Sequence, residues 1–388
     1  MFKVLLLLLI EETGRLAEKG FPSFLSNLLQ MQVSERGNSK EIIMVTNIKD
    51  YITDVMIKNN FSGTVIVQDG QKTLEEKSNG YANRSEEIIN SFDTRFGIAS
   101  GCKLFTAVGV CQLVEAGLLS FDTKLKDCLN ISFPYFDKDI TIHHLLTHTA
   151  GIPDYFDEEV MDNFEELWIK NPMYHIRTLE DFLPLFRNQP MKLKVGERFH
   201  YNNAGYILLG LIIEQTSQVK FADYITEKVF KKSGMTDSGY FEFDALPSKT
   251  AVGYIDFPDG TWKTNIYSLP VKGGSDGGAY VTVNDMAKLW DALINRQLLC
   301  EEYTRQLLNP HIHTNEDDNQ FYGYGVWMNK NDNVISKYHI MGYDPGVSFH
   351  SAFYPKSSIK TVVCSNQSEG AYDILKAIEA NIPKLGKL

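Results

Sequence analysis

Phe96-Gly97-Ile98-Ala99-Ser100-Gly101-Cys102-Lys103-Leu104-Phe105-Thr106-Ala107 is the segment that sets the fold and chemistry expected of this 388-residue chain. Its short apolar run delivers Ser100 to the start of an amphipathic helix, and Lys103 follows at i+3. On a helix, residues three apart share a face, so the hydroxyl and the amine can meet. A serine hydroxyl is a weak nucleophile at neutral pH and needs a base to take its proton. Lysine serves as that base where burial or a neighbouring charge eases loss of its proton. Backbone N–H groups at the helix start add a positive field that suits a developing oxyanion. The tetrad Ser-x-x-Lys is not specific by itself. It recurs at Ser217-Gln218-Val219-Lys220 and Ser357-Ser358-Ile359-Lys360, where no neighbouring residues support a site.

Three further blocks follow Ser100 in the chain. They are Ile142-His143-His144-Leu145-Leu146-Thr147-His148-Thr149-Ala150-Gly151-Ile152-Pro153, Phe199-His200-Tyr201-Asn202-Asn203-Ala204-Gly205-Tyr206-Ile207-Leu208-Leu209-Gly210, and Gly277-Gly278-Ala279-Tyr280-Val281-Thr282-Val283-Asn284-Asp285-Met286-Ala287. Together with the first they resemble the serine β-lactamase and penicillin-binding-protein family, in the branch of class C β-lactamases, DD-peptidases and esterases. The resemblance spans residues 60–380 and implies an α+β, transpeptidase-like fold. In that fold an antiparallel sheet is flanked by terminal helices and interrupted by a largely helical insertion. It also implies roles: Ser100 as nucleophile, Lys103 and Tyr201 moving the proton, and Asn203 holding Lys103 and the substrate amide. A tyrosine can act as a base here only if adjacent cations depress its pKa.

The family's third motif, Lys-Thr-Gly or His-x-Gly on a strand beside the serine, is altered. Counting back from Asp344-Pro345-Gly346 places the motif glycine at Gly342 and puts Ile340 at the basic position. His339 is one residue too early, and alternation would turn it from the site unless a bulge re-aims it. Either His339 is the basic residue or the position is apolar. By the same resemblance, Gly342 lets substrate lie against the strand, and the N–H of Tyr343 is the second oxyanion donor beside that of Ser100.

Rival motifs carry less. Gly273-Gly274-Ser275-Asp276-Gly277 fits Gly-x-Ser-x-Gly but lacks the strand before and helix after, so a flexible loop is expected. His144 and His148 have zinc-like i, i+4 spacing, yet no glutamate follows His144, and no metal or cofactor is expected.

Composition fits an enzyme with a sizeable core, at 43% hydrophobic residues. A net charge of −11 argues against nucleic acid or an anionic membrane as partner. The expected partner is a small-molecule or peptide substrate, and the oligomeric state is not legible. Five cysteines without a Cys-x-x-Cys pair suit a reduced thiol set. Lys3 and the apolar run Val4-Leu5-Leu6-Leu7-Leu8-Leu9-Ile10 look like the opening of a signal peptide, but the run ends at Glu11-Glu12 without a cleavage site. It is too short to cross a bilayer, so a cytoplasmic location is expected, with secretion or anchoring through this run as the alternative. Residues 1–43 match no family block and form an extension, and residues 44–388 form the hydrolase domain.

Periodicity places a helix over 46–59, a hairpin from 61 to about 81, strands over 320–328, 335–342, 347–354 and 360–365, and a last helix over 371–382. The expected activity is acyl transfer through Ser100 on a small ester, amide or D-amino-acid peptide. The alternative is a non-catalytic or slowly acylating penicillin-binding relative.

Overall fold

A computed structural model describes residues 48–314 and 319–382. The apolar run at 4–10 and the whole of the 1–43 extension lie outside the described residues. An eight-stranded antiparallel sheet organises the rest. Its strands are β1 (Gly63–Asp69), β2 (Lys72–Asn79), β3 (Ile312–His313), β4 (Gln320–Tyr322), β5 (Trp327–Asn331), β6 (Val334–Asp344), β7 (Val347–Tyr354) and β8 (Ile359–Ser365). Their order across the sheet is β2-β1-β8-β7-β6-β5-β4-β3. The first hairpin therefore pairs with the last strand, in a register that sets Val65 opposite Val363.

The expected strand over 320–328 is two strands, because Gly325 turns the chain at φ 69° and brings Tyr322 opposite Trp327. That turn also presses on the site. A Cβ on Gly325 would lie 2.7 Å from the carbonyl oxygen of Lys103.

Helices cover both faces of the sheet. Helix α1 (Ile48–Lys58) buries Ile52 and Met56, four residues apart on one face. Two helices form the centre of the insertion, α2 (Lys103–Glu115) and α3 (Asn203–Ser217). Helix α4 (Val283–Ile294) packs on β8 and β1, and α5 (Ala371–Glu379) packs on β7 and β8. Side chains of β7 alternate between these layers as the pleat requires. Ser351 accepts a bond from the Trp290 indole on α4, whereas His350 meets Tyr372 of α5.

Helix α2 departs from expectation. It is buried on all sides rather than amphipathic, with only Gln112 and Glu115 outside the core. An all-round apolar helix belongs inside a protein. Here α3, the helical segments 221–230 and Glu301–Leu307 and the turn at Gly325 enclose it. All five cysteines are free thiols. Among the described residues no helix is long and apolar enough to cross a membrane.

Candidate active site

Ser100 lies in a 3-10 turn, Ala99–Cys102, that runs directly into α2. The residue before it, Ala99, has φ 44°, a left-handed conformation that costs a residue with a Cβ about 1–2 kcal/mol. This bend ends the apolar strand segment and lifts Ser100 toward a cavity of about 970 Å³. Gly101 has a packing reason, since a Cβ there would sit 2.6 Å from the Phe349 ring. Gly342 on β6 is more constrained still. Its Cβ would fall 2.1 Å from the Ile98 carbonyl oxygen and 2.8 Å from the Ser100 nitrogen, so the strand passes with its bare backbone against the serine turn.

Lys103 is buried, with its amine at the meeting point of three segments. Nζ lies 2.9 Å from Ser100 Oγ, 2.8 Å from Asn203 Oδ1 and 2.8 Å from the Asp276 carbonyl oxygen. It also stands 4.8 Å from the centre of the Tyr201 ring. The structure thus gathers Ser100, Lys103, Tyr201, Asn203 and Gly342 around one cavity, which Tyr343 also lines.

Asn203 owes its orientation to Asp154. One Asp154 oxygen accepts the Asn203 N–H at 2.7 Å and Asn203 Nδ2 at 3.3 Å, and the other accepts the Ala204 N–H at 2.9 Å. A carboxylate at the start of a helix suits both the unpaired N–H groups and the dipole. Burial outweighs these donors and raises the Asp154 pKa to about 7. Asn203 Nδ2 also donates to the Phe156 carbonyl at 3.3 Å, so the amide turns its oxygen to Lys103 and its N–H groups away. The expected contact of Asn203 with a substrate amide therefore has no free donor.

His148 positions Tyr201-Asn202-Asn203. Its Nδ1 accepts the Asn202 N–H at 3.1 Å, and its ring packs on Tyr201 at 4.5 Å. His144 closes a capping box with Thr141 at the start of helix Ile142–Leu146. One other cluster has metal-like spacing: donor atoms of Asp157, Glu159 and His200 lie within 4.8 Å of one another. Those carboxylates already pair with cations, Asp157 with Lys192 and Glu159 with Arg198 at 2.7 Å.

His339 does not line the cavity. The pairing of β6 with β7 runs without a shift from Tyr338 to Asp344, so no bulge there re-aims the ring. His339 stacks on Trp327 at 6.4 Å, buried, and burial holds its pKa well below the usual histidine range. Ile340 is on the Gly342 face, packed into the core at 2% exposure. The basic position of the third motif is apolar.

Tyr201 differs electrostatically from the expectation of a cation-depressed phenol. Burial, with Glu158 second, pushes its pKa well above the usual tyrosine value. The discarded Gly-x-Ser-x-Gly segment proved tightly packed. Ser275 is fully buried and its hydroxyl donates to the Tyr206 carbonyl at 2.7 Å. Its contribution is the backbone carbonyl of Asp276, which no side-chain motif announces.

Residues 48–381 match the family model described as Beta-lactamase. Penicillin-binding protein 4* of Bacillus subtilis is 29% identical over 344 residues, covering 83% of this chain and 72% of the relative. The crystal structure of a penicillin-binding protein from Bacillus halodurans superposes with a TM-score of 0.82 at 60% identity, covering 85% of this chain and 99% of that one. A D-amino acid amidase from Ochrobactrum anthropi shares the fold with a TM-score of 0.70 at 20% identity, covering 87% of this chain and 99% of that one.

Proposed function

The chain belongs to the β-lactamase family of serine hydrolases, and from that premise we propose that it hydrolyses small esters, amides or D-amino-acid peptides through an acyl-enzyme on Ser100. The observation that carries this reading is the Lys103 amine 2.9 Å from Ser100 Oγ at the wall of a large cavity. As an ammonium, Lys103 has three N–H groups for three oxygens. As an amine it keeps two, for Asn203 Oδ1 and the Asp276 carbonyl, and its lone pair then lies along the line to Ser100.

In that form Lys103 takes the hydroxyl proton as Oγ attacks the substrate carbonyl. The N–H groups of Ser100 and Tyr343 receive the oxyanion. Tyr201, held as a phenol by its surroundings, passes a proton to the leaving group rather than abstracting one. Water then attacks the ester of Ser100 with the same groups acting in reverse.

Ile340 supports the substrate class. A cation at that position would hold a substrate carboxylate through a charge-assisted contact, worth about 1.5–3 kcal/mol. With a packed isoleucine there, β-lactams lose that contact and uncharged esters lose nothing. The D-amino acid amidase of the same fold has an activity of the proposed kind. The test is intact-mass analysis after exposure to a fluorophosphonate and to a labelled penicillin, beside turnover of a nitrophenyl ester. A single adduct and ester turnover, both lost in Ser100→Ala, are expected. Turnover that survives Ser100→Ala refutes the assignment.

A further inference from the structure

Acidic side chains crowd the cavity around its central cation, Lys103. Asp154, Glu158, Asp276 and Asp344 each feel Lys103 as their neighbouring cation. The Lys103 amine is itself committed to three oxygens. Asp276 and Asp344 also repel each other, and Glu158 adds to the burden on Asp344.

Three of these carboxyls have local donors, Glu158 meeting the Asn203 amide. Asp154 accepts the N–H groups that open α3, and Asp276 accepts the Tyr155 hydroxyl. Asp344 has none: among the described residues no hydrogen bond or ion pair satisfies its side chain. It lines the cavity at the end of β6, directly after Tyr343 and on the same strand face as Gly342. Two residues before Gly342, the strand offers Ile340 in place of the motif's cation.

We propose that this site selects substrates bearing a positive charge close to the reacting carbonyl, such as the free ammonium of an aminoacyl amide, ester or peptide, with Asp344 as the residue that receives it. The proposal rests on the acyl-enzyme reading above and adds the charge of the substrate. A cation against Asp344 relieves its repulsion with Asp276 and supplies the missing partner, whereas a substrate carboxylate meets Glu158, Asp276 and Asp344 and one occupied lysine. In the empty cavity, burial and then Asp276 hold the Asp344 pKa up to about 8. Binding of an ammonium therefore ionises Asp344 and releases a proton.

The test uses the p-nitroanilides of D-alanine, N-acetyl-D-alanine and N-succinyl-D-alanine, which present a cation, no charge and an anion. Calorimetry on Ser100→Ala measures binding without turnover. The ammonium compound is expected to bind about tenfold tighter than the acetyl compound, and the succinyl compound weakest. Its binding should also release a proton, seen by comparing two buffers of different ionisation enthalpy. In Ser100→Ala/Asp344→Asn the preference for the ammonium should shrink to about twofold or less. Equal or tighter binding of the acetyl or succinyl compound overturns the proposal, as does absence of ammonium binding at millimolar concentration. Turnover by the wild type is read separately. Tight ammonium binding without any turnover refutes the serine mechanism and leaves the charge selection standing.

Discussion

Ser100–Lys103 and Ser217–Lys220 have the same spacing and share nothing else. In the first, Oγ and Nζ are 2.9 Å apart. In the second, Ser217 ends α3 and its hydroxyl turns back to the Ile213 carbonyl at 2.6 Å, while Lys220 reaches Glu214 on the surface at 3.3 Å. The third tetrad behaves like the second, with Lys360 bound to Asp291 at 2.5 Å. The difference lies in where the chain turns left-handed. Gln218 and Ser358, each at φ 57°, fall inside their tetrads and destroy the helical phase, whereas Ala99 falls just before Ser100 and leaves its tetrad in phase. Spacing predicts contact only when every residue between the partners is right-handed helical.

The sharpest way to break this comparison is to remove each lysine. Lys103→Ala should lower kcat/KM for a nitrophenyl ester by about 10²–10⁴. Lys220→Ala should stay within about twofold. Comparable losses in both would mean that the contact at Ser100 is not catalytic.

Lys360 gives the next largest effect, on stability rather than rate. Its side chain is 2% exposed while that of Asp291 is 24% exposed. Lys360→Met should therefore cost about 2 kcal/mol in urea unfolding, less than the loss from a fully enclosed pair. Activity per folded molecule should not change, and a drop in it would place Lys360 in communication with the site.

A third test separates the lysines by the balance of charge around them. Asp344 has a folded pKa raised to about 8 from an ordinary value of 3.8. The folded state then binds the proton more strongly, so this group's contribution to stability is full below pH 4 and is lost as pH rises toward 8. Asp344→Asn should raise thermal stability relative to wild type by about 1 kcal/mol or more at the alkaline end of this range, and by less at its acid end. An equal effect at both ends would show that Asp344 is not crowded by like charge.

The smallest effect is at Ala99. Ala99→Gly relieves the left-handed strain but loosens the unfolded chain, so a net gain of at most about 1 kcal/mol is expected. Any fall in kcat then measures how much the stiffness of that bend contributes to aiming Ser100. A clear loss of stability would contradict the strained geometry.

The sequence makes the fold legible because its four blocks sit where the chain must turn, pack closely or cap a helix. Gly342 and Gly101 leave room for backbone and for Phe349. The capping residues Thr141 and Asn202 mark their helices directly. The site was legible as far as its side chains reach along local spacing. It was not legible where the partner is a backbone carbonyl from a distant loop, as at Asp276. Asp154 escaped notice for a related reason, since it caps a helix 49 residues away. The electrostatics of Tyr201 were also hidden, because Glu158 and the depth of burial depend on loops without a repeating pattern. Apolar residues flank Gly325 on both sides, so the turn that splits 320–328 into two strands leaves no mark in the pattern.

The pairing of β1 with β8 sets a temporal order on the molecule. Ser62 and Ser365, bonded through the Ser365 hydroxyl, are separated by 303 positions in the chain. A growing polypeptide cannot seat its first hairpin until residues 359–365 have left the ribosome. Until then β1 lacks the strand that covers its inner edge. Closure of so long a loop makes folding slow and exposes the intermediate to aggregation. A nascent chain arrested before residue 359 should consequently be protease-sensitive and hydrolytically silent, although Ser100, Lys103, Tyr201 and Asn203 have all been synthesised.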